Sequence, residues 1–126
     1  MNLNHVTIPS LNVSKAIEFY KKLGLNLIVH TKSDYARFEC VEGNSTFSIH
    51  AVNELKTIGG IWVYFECEDL DNKVEELVNQ GVSIDEMPND KPWLWREARL
   101  KDLDGNQIVL FKAGKARKNP PWKYQE

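Results

Sequence analysis

The chain repeats itself at an offset of 57 residues, and an internal repeat constrains a fold more than any single motif. Val13, Ala16, Ile17, Tyr20 and Leu23 recur at helical spacing, with Asn12 as N-cap and Gly24 as the stop. Leu70, Val74, Leu77 and Val78 do the same between Asp69 and Gly81. Subtracting Asn12 from Asp69, Val13 from Leu70, Ile17 from Val74 and Gly24 from Gly81 gives 57 each time. Elsewhere the apolar pattern has period two. It predicts strands at about 3–8, 25–31, 35–41, 45–51, 61–67, 82–85, 95–101 and 107–112. The order is strand, helix, three strands, then the same again, which is an α+β arrangement of two βαβββ modules. They span about 1–53 and 60–113, with a tail at 114–126.

One helix per module covers one face of its strands. That face collects Val6 and Ile8, Phe47 and Ile49, Ile61, Val63 and Phe65, and Ile108 and Leu110. The opposite face is mixed: His5 and Thr7, Ser48 and His50, Trp62, Tyr64 and Glu66, Glu97 and Arg99, and Gln107, Val109 and Phe111. Plain solvent does not suit the aromatics, and plain core does not suit the charges. Such a face fits the lining of a ligand cavity.

The stretch from Lys101 to Phe111, KDLDGNQIVLF, opens like a calcium loop. An EF-hand starting at Asp102 would need a carboxylate at its twelfth residue, which is Ala113. The segment therefore reads as a tight turn feeding a strand, with Asp-Gly supplying positive φ.

A chain of 126 residues suffices for one domain without disulfides or structural metal. A net charge of −2 creates no field favouring nucleic acid or membrane. No apolar run approaches the roughly 20 residues of a membrane span. The segment Met1 to His5 lacks the pattern of a signal peptide, and Cys40 and Cys67 read as reduced, buried thiols on strands. A cytoplasmic setting is expected. The basic tail, with Lys112, Lys115, Arg117, Lys118 and Lys123 around Pro120-Pro121-Trp122, reads as solvated and pinned by Trp122.

The duplicated module, with NHVTIPSLNVSKAIEFYKKLGL at its start and DLDGNQIVLF at its end, resembles the vicinal oxygen chelate superfamily of glyoxalases, bleomycin-resistance proteins and extradiol dioxygenases. PWLWREARLKDLDGN is similar to a segment of bleomycin-resistance-like members. The resemblance implies that the two modules pair into an incomplete, cupped β-barrel, and that the chain assembles as a homodimer. It also implies four inward positions for a divalent metal such as Zn, Ni, Fe or Mn: His5, the residue at or next to His50, Trp62 as the repeat partner of His5, and Val109.

An indole and an isopropyl group have no lone pair for a metal. His5 and His50 alone form an incomplete set, which Glu97 could extend. The favoured expectation is a protein without a cofactor that binds a small organic molecule. Its lining would be His5, His50, Trp62, Tyr64, Trp93, Trp95, Glu97, Arg99 and Val109. Trp93 and Trp95 could instead fill core or interface. An ion pair of Glu97 with Arg96 or Arg99 would favour a neutral or anionic ligand. The alternative is a metal-dependent lyase, isomerase or dioxygenase.

Overall fold

A computed structural model describes residues 2–56 and 59–125. The strands are β1 (His5–Ser10), β2 (Asn26–Thr31), β3 (Tyr35–Glu39), β4 (Thr46–Ala51), β5 (Trp62–Glu66), β6 (Glu86–Asp90), β7 (Arg96–Lys101) and β8 (Gln107–Lys112). The helices are α1 (Val13–Lys22) and α2 (Leu70–Asn79), followed by a 3₁₀ turn at Gly114–Arg117. They form two four-stranded sheets, ordered β1-β4-β3-β2 and β5-β8-β7-β6. Each sheet has one parallel pair, β1 with β4 or β5 with β8, and its other pairs are antiparallel. Each is a βαβββ module, and neither sheet closes on itself.

The chain divides into two compact units. Unit 1 is residues 1–61 with 102–106, and unit 2 is residues 62–101 with 107–126. The Asp102–Asn106 turn therefore belongs with the first module, not the second as its place in sequence suggested.

Unit 1 is built on the buried face of α1. Val13, Ala16, Ile17, Phe19 and Tyr20 pack on Ile8, Ala36, Phe38, Phe47 and Ile49. Tyr20 meets Phe47 at 4.8 Å between ring centroids. Asn12 caps α1 through Oδ1, accepting from the Lys15 backbone N–H at 3.1 Å. Unit 2 repeats the scheme with Leu70, Val74 and Leu77 beside Ala98, Leu100, Ile108 and Leu110. Here the expected cap is not made. The Asp69 side chain accepts from the Asn72 side chain instead of a backbone N–H. Gly24 and Gly81, at φ 102° and 84°, adopt the left-handed conformation that ends both helices.

Several expectations need correction. The sixth strand lies at Glu86–Asp90, not 82–85. It is an edge strand, so Pro88 is tolerated and its polar residues face water, which hides it from an apolar pattern. Val6 and Val78 are exposed rather than core, because β1 is also an edge and Val78 lies at the rim of α2's apolar stripe. Cys40 and Cys67 sit just past β3 and β5, half-buried, with no disulfide between them. Trp122 does not pin the tail. A turn closed by Lys123 N–H on the Pro120 carbonyl leaves its indole 58% exposed. No helix among the described residues is long and apolar enough to cross a membrane.

Candidate functional site

The sheet face turned away from each helix carries the polar and aromatic chemistry, and strand register orders it into rows. In unit 2 one row is Tyr64, Val109, Arg99 and Glu86, and the next is Glu66, Phe111, Glu97 and Asn89. In unit 1 the matching rows are Thr7, Ser48, Arg37 and Val29, then Pro9, His50, Tyr35 and Thr31. Position by position, His5 matches Trp62, Ser48 matches Val109, His50 matches Phe111, Arg37 matches Arg99 and Tyr35 matches Glu97.

Unit 2 assembles most of the predicted lining. Glu97 is almost fully buried, at 1% exposure, and its carboxylate has two partners. Trp93 Nε1–H donates to Oε2 at 2.6 Å, and Arg99 Nη2–H donates to Oε1 at 3.0 Å. Paired and hydrogen-bonded, the charge is tolerable in the interior. The Arg99 guanidinium also lies over the Trp62 ring, 5.3 Å from its centroid. Arg96, the other predicted partner, turns instead to Asp71 and Asp90 at 3.0 and 3.1 Å. Those contacts hold Asp71 below the usual carboxylate range.

Trp93 and Trp95 come from a short hairpin loop. Lys91 N–H donates to the Trp95 carbonyl at 2.7 Å, which closes it. Leu94 takes φ 70°, a left-handed geometry that costs a non-glycine residue roughly 1–2 kcal/mol. This turn delivers Trp93 to Glu97 and Trp95 onto Phe111, stacked at 4.7 Å and 20°. Tyr64 meets both rings edge-on, at 6.0 and 5.7 Å. Val109 and Phe111 are buried at the centre of this face, while Trp62, Tyr64 and Trp93 stay 51%, 42% and 40% exposed. The result is an aromatic surface with an ion pair set into it.

Unit 1 carries a polar chain in which the sequence reading named His5, Thr7 and Ser48 but missed Thr46, Tyr35 and Arg37. His5 Nδ1 is 2.5 Å from Thr46 Oγ1, and Nε2 is 3.1 Å from Ser48 Oγ and 3.2 Å from Thr7 Oγ1. Ser48 continues to the Tyr35 hydroxyl at 2.7 Å, which accepts from Arg37 Nε–H at 2.9 Å. The Ser48 hydrogen bond, aided by Arg37 against desolvation, holds the Tyr35 phenol below its ordinary value. Tyr35 and Arg37 had a signal in sequence, since they alternate on β3 as Glu97 and Arg99 do on β7.

His5 and His50 are not brought together. His5 pairs with Thr46 and His50 with Pro9, four residues along the same ladder. That spacing is about 13 Å of strand, with Thr7 and Ser48 between. By strand register the match to Val109 on β4 is Ser48, two residues before His50, and His50 is level with Phe111. The four matched positions are therefore His5, Ser48, Trp62 and Val109, with both His5 nitrogens in contact with hydroxyls. One imidazole and one hydroxyl do not fit a divalent transition metal. Glu97, already clamped by Trp93 and Arg99, is not positioned to complete a set. Among the described residues no three His, Cys, Asp or Glu side chains group as a metal site would require.

A separate concavity of about 400 Å³ in unit 1 is walled by Pro9, Val52, Leu55 and Ile61. It contains none of the predicted site residues, so the sheet faces carry the chemistry.

Residues 2–110 match the family model described as Glyoxalase/Bleomycin resistance protein/Dioxygenase superfamily. The chain is 29% identical over 126 residues to the uncharacterized protein YraH of Bacillus subtilis (strain 168), covering 89% of this chain and 98% of that one. Among solved structures it is similar to a bleomycin-binding protein complexed with bleomycin, with TM-score 0.72, 17% identity and coverage of 89% and 98%. It is also similar to lactoylglutathione lyase from Agrobacterium tumefaciens, with TM-score 0.74, 12% identity and coverage of 98% and 97%. At such identities the structural likeness speaks for the fold.

Proposed function

The chain belongs to the glyoxalase/bleomycin resistance protein/dioxygenase superfamily, and from that membership we propose that it binds a small organic molecule with a planar ring, without the superfamily's full metal-ligand set. The observation that carries this reading is the Arg99–Glu97 pair set among exposed aromatics. Exposed Trp62, Tyr64 and Trp93 form an apolar patch that a soluble fold would otherwise cover. A flat ring stacking on them gains roughly 0.5–1.5 kcal/mol per aromatic contact beyond area burial. Because Arg99 compensates Glu97, a neutral or anionic ligand fits better than a cation. The similarity to a bleomycin-binding protein complexed with bleomycin supports small-molecule binding as a role that this fold can serve. The open edges of both sheets support a homodimer as the assembled form, which light scattering would test.

The test is a thermal-shift screen of planar organic compounds, followed by tryptophan fluorescence. A ligand at 100 times its Kd adds about 2.7 kcal/mol of stability. Quenching of wild-type fluorescence that Trp62→Ala removes is the expected result. Near-stoichiometric Zn, Ni, Fe or Mn in untagged protein, lost on His5→Ala, would overturn the metal-free reading. Ligands that bind equally to wild type and to Trp62→Ala would overturn the placement.

A further inference from the structure

The proposed aromatic site leaves the polar face of unit 1 unused, and we propose that this face binds a small oxyanion, the carboxylate of an organic acid, through Arg37, Tyr35 and His5. The argument starts from the register match of Arg37 with Arg99. Arg99 has a carboxylate at the matched neighbouring position, Glu97, and pairs with it at 3.0 Å. In unit 1 that position is Tyr35, which offers a hydroxyl and no charge. Arg37 thus keeps an uncompensated guanidinium. Among the described residues no carboxylate lies within salt-bridge distance of it, and only its Nε–H is taken up by a protein acceptor. The acid on the same strand face, Glu39, is engaged by the Asn26 side chain at 2.7 Å.

Arg37 is half-buried, and its ring contact with Tyr35, 5.5 Å to the centroid, holds it against the sheet. Its terminal nitrogens remain as a fork of donors, the geometry that carboxylates take in two parallel hydrogen bonds. Except for Glu39, the groups around it suit an oxyanion. Tyr35 and Ser48 are hydroxyls, His5 is exposed at the far end of the chain of hydrogen bonds, and His50 lies beside Tyr35 in register. Glu39 is the one opposing charge on this face.

This inference does not rest on the aromatic site, and the chain offers separate reporters. The four tryptophans, at 62, 93, 95 and 122, all lie in unit 2, and the three histidines, at 5, 30 and 50, all lie in unit 1. The experiment is a proton NMR titration of the full chain with benzoate, and separately with inorganic phosphate, following the assigned imidazole signals. Saturable shifts of His5 and His50 with benzoate, His30 unmoved, are expected, with Arg37→Gln weakening the affinity at least about tenfold. Parallel, unsaturable drift of all three histidines would overturn the proposal. So would wild-type affinity in Arg37→Gln, or tighter binding of phosphate than of benzoate. If Arg37→Gln fails to fold, Tyr35→Phe replaces it: a several-fold loss supports the site and an unchanged affinity overturns it.

Discussion

The Tyr20 hydroxyl donates a 2.6 Å hydrogen bond to Oδ2 of Asp102, across 82 positions of sequence. Both residues are buried in unit 1. Asp102 also accepts from the backbone N–H groups of Asp104 and Asn106, each at 2.9 Å, and from the Asn106 side chain at 2.8 Å. Asp104 accepts the Leu11 N–H at 2.8 Å, just before α1. The acidic cluster that resembled a calcium loop is thus a hydrogen-bonded plug. Its carboxylates satisfy donors of the first module, and Gly105 at φ 82° makes the turn tight enough to present them.

Tyr20→Phe should lower stability by about 1.5–3 kcal/mol, the cost of a hydrogen bond to a charged group. Asp102→Ala should cost more, because it strands several buried donors together. Urea unfolding of both variants checks this. A Tyr20→Phe protein as stable as wild type would mean that the bond adds nothing.

Arg99→Ala should destabilise by about 3–5 kcal/mol, because it leaves the Glu97 carboxylate buried with only the Trp93 indole as partner. Trp93→Phe should cost less, about 1.5–3 kcal/mol, since the ion pair persists. Equal losses in thermal or chemical denaturation would contradict this ranking.

Trp62→Ala and Trp95→Ala should separate binding from folding. Trp62 is half-exposed and holds Arg99 by a cation–π contact, so its loss should cost only about 0.5–1 kcal/mol of stability yet abolish fluorescence quenching by the ligand. Trp95 stacks on the buried Phe111, and its removal should approach the roughly 3 kcal/mol typical of a large aromatic truncation. The reverse order would place Trp62 in the core and not in the site.

The tyrosines should titrate at opposite extremes. Burial, then the charge of Asp102, raises Tyr20 far above the ordinary value of 10.0, whereas Ser48 and Arg37 lower Tyr35. A raised value stabilises the fold below pH 10 and is lost as pH climbs toward it. A lowered value stabilises above pH 10 and is lost as pH falls through the native value. Tyrosinate absorbance of the native protein should therefore rise at Tyr35 before Tyr20, and Tyr35→Phe should delete the Tyr35 component. An unchanged absorbance curve in Tyr35→Phe would refute the assignment.

The two helices, their glycine stops and seven of the strands were legible because each depends on a local period. Ile17 and Val74 announce a helix face whatever the rest of the chain does. Ser48 and His50 announce a sheet face in the same way. The shared face of Trp62, Tyr64, Glu97 and Arg99 followed from alternation alone. β6 did not, because an edge strand holding Pro88 and Asp90 needs no apolar period.

Sequence by itself determined which side chains point to the same side of each strand. Only tertiary structure decided which of them are neighbours. Alternation has period two and says nothing about how far one strand slides along another, and that slide is set by hydrogen bonds between residues distant in the chain. It set Ser48 level with Val109, brought Ser48 and His5 to the Tyr35–Arg37 pair, and carried Asp102 to Tyr20.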